Sequence, residues 1–270
     1  MSKILFFDID GTLLDSKGLI PDSARAAMIK ARENGHQIVI CSGRARFQMT
    51  DYILENTDGL IACAGALVEK GGKIIHQEFM PDETVRKIQK VLDEAGGEVA
   101  YMCEKTLRFK QSCKDYIYDR YGRLGLDEER LKIVVGDAFI TEHPEEFKDY
   151  KKVLYYQSNW PVAKVAKALE NICDVTATSF ERGVDTSGEI SVKGINKAYG
   201  MQKYIESQGF SVEDTIAFGD GPNDLDMIEF AHIGVVMGNG IDELKAVADM
   251  VTTDVDKDGI ANAMRKLNLI

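Results

Sequence analysis

Residues 3–15 read KILFFDIDGTLLD. Ile4–Phe7 is wholly apolar, the pattern of a strand buried on both faces, as in a parallel sheet. Asp8 and Asp10 follow at its end. Side chains two residues apart on an extended chain point to the same side, so both acids can face one small site. Like charges held that close repel unless a cation lies between them, and oxygen ligands suit Mg²⁺. A solvated acidic turn is the bland alternative for a bare Asp-x-Asp, but the full Asp-x-Asp-Gly-Thr string after an apolar strand is far more specific.

Moving outward, DSARAAMIKARENG (22–35) places Ala24, Ala27, Met28 and Ala31 on one helical stripe, with Gly35 at the stop. HQIVIC (36–41) reads as a second buried strand. The tail repeats the scheme, with helix-like 196–209, strand TIAFG (215–219), helix 223–231 and strand IGVVMG (233–238). This alternation predicts an α/β fold: a doubly wound parallel sheet flanked by helices, with active residues at the carboxyl ends of its strands. The middle differs. Residues 83–187 hold 12 of the 22 aromatics, on short amphipathic strands that point to an open α+β sheet with one face uncovered. The expected layout is a core of 1–82 and 188–270 with an inserted α/β domain at 83–187.

Composition narrows the function. The 270 residues allow one large domain or two modest ones. With 33 Lys+Arg against 44 Asp+Glu, a formal charge of −11, nucleic acid is an unexpected partner, since its phosphate backbone is held mainly by Lys and Arg. The five cysteines are odd in number and show no Cys-x-x-Cys, which argues against a disulfide framework or thiolate zinc site. The amino terminus carries too few apolar residues for a signal-peptide core, and no apolar run nears the ~18 residues of a membrane helix. A cytoplasmic protein with no membrane partner is expected.

Three further stretches carry chemistry. ICSGR ends the second strand, where Ser42 beside a flexible Gly43 can donate to an anion. In AFGDGPNDLDMI (217–228), Asp220 again ends an apolar strand between two glycines, and Pro222-Asn223 starts a helix. Asp224 in its first turn would be favoured by the helix dipole alone; Asp220 has no such explanation. VKGINKAYG (192–200) supplies Lys193 and Lys197, either of which could offset phosphate charge beside an acidic cluster.

In order and spacing these four elements resemble the haloacid dehalogenase superfamily of phosphotransferases, along the whole chain. The best match is its Cof-type (IIB) branch of small-metabolite phosphatases, with a large α/β cap between the second and third motifs. Asp-Ile-Asp-Gly-Thr matches the first motif, Ser42-Gly43-Arg44 the second (the family more often has Thr), Lys197 the third through its Gly-x-x-Lys, and Gly-Asp-Gly-Pro-Asn-Asp the fourth. The resemblance implies a catalytic pair in which Asp8 attacks phosphorus to give an aspartyl-phosphate and Asp10 acts as general acid, then general base. It further implies Mg²⁺ held by Asp8, the Asp10 carbonyl and Asp220, with Asp224 behind them. Ser42, Lys197 and Asn223 would bind the phosphoryl oxygens. The expected enzyme is a phosphatase of small phosphorylated metabolites, such as sugar phosphates or phosphorylated cofactors. A phosphomutase, an Asp8-phosphorylated signalling module and a nucleotide-binding oxidoreductase are its rivals. Arg108, Lys110 and Arg182 are basic cap residues that could reach substrate.

Two departures stand out: Ala64 replaces the family's Asn in CAGALV, and Gly238-Asn239-Gly240 replaces its Gly-Asn-Ala with what reads as a looser loop. Other signals carry less. DVDKDG (254–259) opens like an EF-hand, but its twelfth position is Arg265, so a turn is expected. Gly-x-Gly at 238–240 lacks the third glycine of a dinucleotide fingerprint. Cys41 reads as a small buried strand residue, and the four histidines show no metal spacing. Finally, 83–187 carries 17 Lys+Arg against 19 Asp+Glu, so the acidity belongs to the core.

Overall fold

The four residues of β1 (Ile4–Phe7) are all fully buried, the environment their unbroken hydrophobicity demands. The computed structural model describes residues 2–123, 125, 127–178 and 185–270. After β1 come α1 (Asp22–Glu33), β2 (Gln37–Cys41), α2 (Asp51–Leu54), β3 (Gly59–Ala62), β4 (Leu67–Lys70) and β5 (Lys73–Gln77). The inserted part holds α3 (Asp82–Ala95), β6 (Glu98–Met102), β7 (Leu107–Phe109), α4 (Gln111–Arg123), α5 (Glu128–Val135), β8 (Phe139–Ile140), β9 (Lys152–Tyr156), α6 (Val162–Leu169), β10 (Cys173–Ala177) and β11 (Gly188–Val192). The chain then returns with α7 (Lys197–Gln208), β12 (Thr215–Gly219), α8 (Leu225–Phe230), β13 (Ile233–Val236), α9 (Asp242–Lys245), β14 (Met250–Val251) and α10 (Gly259–Lys266).

These elements form two units. The first comprises Met1–Gly43, Asp51–Gln77 and Asn196–Ile270; the second comprises Arg44–Thr50 and Glu78–Ile195. The second unit therefore reaches beyond 83–187, for two reasons. β11 is committed to the inserted sheet by pairing with β9 and β10. Residues 44–50 are tied there by contacts remote in sequence, with Gln48 Nε2 donating to the Val134 carbonyl at 2.6 Å.

In the first unit one sheet runs β14-β13-β12-β1-β2-β3-β4-β5. All pairings from β14 to β3 are parallel, as expected. An antiparallel hairpin, β4–β5, extends it. The sheet is covered on both faces. Ile4, Phe6, Val39, Ile61 and Ala217 pack with Met201, Tyr204 and Ile205 of α7 and with Met227 and Ile228 of α8. Leu5, Phe7, Ile38, Ile40 and Phe218 alternate with them and are buried too. Phe7 and Phe218 stack at 4.5 Å there, and each such ring contributes about 1.5–3 kcal/mol by burial.

One turn in this unit is strained. Between β3 and β4, Cys63 (φ 51°) and Ala64 (φ 53°) are both left-handed, a conformation that costs an L-residue ~1–2 kcal/mol. Asn tolerates it best after glycine, and Ala64 is only half-buried. Ala64→Asn is expected to raise stability by about 0.5–1 kcal/mol, read as a higher urea midpoint at unchanged slope; a lower midpoint would refute the strain.

The second unit has a sheet in the order β10-β11-β9-β6-β7-β8, antiparallel except for β7–β8. Val85, Ile88 and Leu92 of α3 and Val162, Val165 and Leu169 of α6 cover one face, packing on Tyr101, Val153, Tyr155 and Ile190. The other face is not left bare along β9, whose five residues are all buried. Tyr116 of α4 lies 5.5 Å from Tyr156 there, and Lys152 pairs with Glu189.

Candidate active site

The strand order reverses between β1 and β12, the place where doubly wound sheets open a crevice at their carboxyl ends. Parallel register sets Phe7 beside Phe218, and the Asp8 N–H donates to the Phe218 carbonyl at 3.0 Å. Asp8 follows Phe7 directly and Asp220 follows Phe218 after Gly219, so both acids stand just past the carboxyl ends of adjacent strands. β2, on the far side of β1, ends at Cys41, and Ser42 follows, buried, with its carbonyl accepting from Ala64 N–H at 3.0 Å.

Lys197 enters from the amino end of α7. Asn196 caps that helix, accepting from Tyr199 N–H at 2.9 Å, and makes Lys197 its first residue. A cation is unfavourable at the positive end of a helix, and Lys197 is 1% exposed. Its charge is met by two carboxylates: Nζ donates to Asp8 Oδ1 and to Asp224 Oδ1, each at 2.5 Å. This holds the ammonium well above its ordinary pKa despite burial. Lys193 belongs to the second unit, where it donates to the Glu170 carbonyl at 2.6 Å.

Asp224 also holds the loop after β12. Its Oδ2 accepts from the Asp220 and Gly221 N–H groups at 2.9 Å each, so both its oxygens are engaged by the protein. Asn223 stands one residue before it, half-buried on the same turn. Asp10 is half-buried beyond Asp8. Sequence reading gave Thr12 no part, yet Thr12 Oγ1 donates to Asp220 Oδ1 at 2.9 Å; its place in the Asp-x-Asp-Gly-Thr string was the available signal. Gly11 between them has φ +84°, and a Cβ there would stand 2.3 Å from Asp220 Oδ2. Only glycine allows this loop to approach that carboxylate.

Carboxylate oxygens of Asp8, Asp220 and Asp224 lie within 4.8 Å of one another, all buried. Burial first, then the neighbouring Asp224 and Asp10 charges, push Asp8 up to about 8 despite Lys197. Such a crowd of hard oxygens fits a divalent cation, with Asp8 and Asp220 able to hold it and Asp224 bracing the loop behind. Among the described residues one other group has ligand spacing, the exposed His143 and Glu146 with the half-buried Glu145, so the histidines are not all without metal spacing as the sequence implied. The 254–259 segment is a short turn closed by a Lys257–Asp254 pair before α10. Cys41 is fully buried and its thiol is held protonated by desolvation. Arg108 is engaged within its own unit, forked onto Asp149 and lying 4.3 Å over the Phe147 ring. Lys110 is exposed, and Arg182 falls outside the described residues.

The sheet order thus brings buried acids just past the ends of β1 and β12 and sets a buried lysine against Asp8 and Asp224. The haloacid dehalogenase-like hydrolase family matches residues 5–264. The YkrA protein of Bacillus subtilis is 33% identical over 270 residues, covering 100% of this chain and 99% of its own. The pyridoxal phosphate phosphatase YbhA of Escherichia coli is 27% identical over 266 residues, 96% of each chain. Among solved structures, the subclass IIB sugar phosphatase BT4131 superposes with a TM-score of 0.81 at 27% identity, covering 99% of this chain and 100% of that one. The chain belongs to the haloacid dehalogenase-like hydrolases, in their Cof-type (IIB) phosphatase branch. It is a phosphoric monoester hydrolase. Among the described residues no helix is long and apolar enough to cross a membrane.

Proposed function

We propose that the protein is a Mg²⁺-dependent phosphatase of small phosphorylated metabolites that works through an aspartyl-phosphate on Asp8. The observation that carries this reading is the Lys197 ammonium shared between Asp8 and Asp224, in a buried pocket beside Asp220. Phosphoryl transfer asks chiefly for positioning and charge neutralisation. Lys197 meets both needs, fixing one Asp8 oxygen and offsetting incoming negative charge. Mg²⁺, held by Asp8, the Asp10 carbonyl and Asp220, would supply the remaining positive charge on the phosphoryl oxygens.

In the first step an Asp8 oxygen bonds to phosphorus as the ester P–O bond breaks, and Asp10 gives its proton to the departing oxygen. In the second, the Asp10 carboxylate takes a proton from water. The resulting hydroxide displaces Asp8 and releases inorganic phosphate. Ser42 and Asn223, on loops at the carboxyl ends of β2 and β12, would donate to the phosphoryl oxygens. The inserted unit, 83–187 in the sequence reading, would serve as a cap that selects the leaving group, with Lys110 or Arg182 available to it. The names of YbhA and BT4131 support a sugar phosphate or phosphorylated cofactor as substrate. Phosphate release across a panel of both classes, with and without EDTA, tests the proposal. Isomerised sugar phosphate without free phosphate would make the enzyme a mutase instead.

The raised pKa of Asp8 gives a pH prediction. Its folded value, about 8, lies above the ordinary 3.8. The proton at Asp8 thus stabilises the metal-free fold below about pH 4, and that contribution is lost as pH rises through 8. Mg²⁺ must displace the same proton, so its affinity should tighten roughly tenfold from pH 6 to 7. Isothermal titration at the two values measures this, and equal affinities would contradict it.

A further inference from the structure

The Gly238-Asn239-Gly240 loop, anticipated as loose, is held tightly against the site. Asn239 Oδ1 accepts from the Val255 N–H at 2.8 Å, and its Nδ2 donates to the Gly11 carbonyl at 2.8 Å. One amide thereby ties the loop after β14 to the Asp-Gly-Thr loop after β1. On the same stretch, Ile241 N–H donates to the Asp220 carbonyl at 3.0 Å. The alanine usual in this family would not fit at Gly240, because its Cβ would stand 2.7 Å from Val236 Cγ1 and 2.9 Å from the Met237 carbonyl.

The carbonyl that Asn239 grips belongs to Gly11, whose N–H donates to the Leu14 carbonyl at 3.1 Å. Gly11 has no side chain, lies in the left-handed region, and is flanked by Asp10 on one side and Thr12, bonded to Asp220, on the other. A glycine peptide left ungripped can rotate, moving Asp10 and Thr12 in opposite senses. We infer that Asn239 is a positioning residue, whose amide fixes the Gly11 peptide and so sets Asp10 and Asp220 for phosphoryl transfer. This rests on the phosphatase reading above. Groups that orient ligands and catalytic side chains from behind typically matter by 10–100-fold.

The test compares Asn239→Ala and Asn239→Asp with Asn262→Ala. The aspartate is nearly isosteric and keeps an acceptor for Val255 while setting an oxygen against the Gly11 carbonyl, which guards against a variant that merely misfolds. Asn262 Nδ2 donates to Thr253 Oγ1 at 2.9 Å and to the Lys257 carbonyl at 3.2 Å. Its loss therefore loosens the Val255 segment without touching Gly11. With p-nitrophenyl phosphate, both Asn239 variants are expected to lose about 10–100-fold in kcat with KM changed less than about threefold. The Mg²⁺ concentration that half-saturates the rise in Tm should climb about tenfold. Asn262→Ala should lower Tm while leaving both readouts at wild-type values. Wild-type kcat and Mg²⁺ response in the Asn239 variants, or an equal loss in Asn262→Ala, overturns the assignment. If the wild type releases no phosphate, the phosphatase reading fails, and the Mg²⁺-dependent Tm still decides the role of Asn239.

Discussion

Asp8→Asn is expected to leave less than about a thousandth of the hydrolytic rate while barely moving the metal-free stability. Loss of a nucleophile commonly costs that much or more, because no other group can form the covalent intermediate. The unchanged stability follows from the site itself. At neutral pH burial and the Asp224 charge keep Asp8 largely protonated without metal, so an amide of the same shape replaces a neutral acid. Asn still offers an oxygen to Lys197 Nζ. Rates with p-nitrophenyl phosphate and urea unfolding in EDTA check the two halves. Wild-type turnover in this variant would end the aspartyl-phosphate proposal.

Lys197→Met should behave in the opposite way, damaging the fold as well as the rate. The ammonium is buried, donates to both Asp8 and Asp224, and balances the charge they share. Removing one partner of a buried ion pair leaves uncompensated charge and typically costs 3–5 kcal/mol. That loss should shrink at pH 5, where a protonated Asp8 no longer repels Asp224, and again on adding Mg²⁺, whose charge replaces the missing one. Urea midpoints at pH 5 and 8, each with and without Mg²⁺, measure the pattern. A midpoint at pH 8 equal to that of the wild type would show that the lysine does not hold the acids together.

Much of this site was legible because its residues sit where simple rules put them. Ile4–Phe7 could only be a buried strand, so its terminal acids had to lie at a carboxyl edge. The run before Asp220 said the same of its neighbour. What one sequence could not show was the set of long-range contacts. Nothing local marks Arg44–Thr50 as part of the second unit, since the bond from Gln48 reaches Val134, 86 residues away. Arg108 looked available for substrate because its partner, Asp149, lies on a distant loop. The β4–β5 hairpin was a different kind of omission. Its Gly71-Gly72 turn, with φ 53° and 74°, is a hairpin signal carried by the local sequence itself.

The pairing of β1 with β12 has a consequence for how the chain is made. Ile4 lies against Thr215, so the central strand of the first sheet leaves the ribosome long before its partner exists. At about 5–20 residues per second the wait is roughly 10–40 seconds. During it one edge of the most apolar strand stays open, and the acids at its end have neither Asp220 nor Lys197 beside them. The inserted unit falls within this interval. Its sheet, drawn from 98–192 without a strand from either flank, can form while β1 is still incomplete. Loop closure across so long an interval is slow, and a folded insert shortens the flexible length to be closed. Synthesis halted between residues 195 and 215 would therefore release an ordered insert joined to an unfinished sheet, a species for chaperones and proteases to sort.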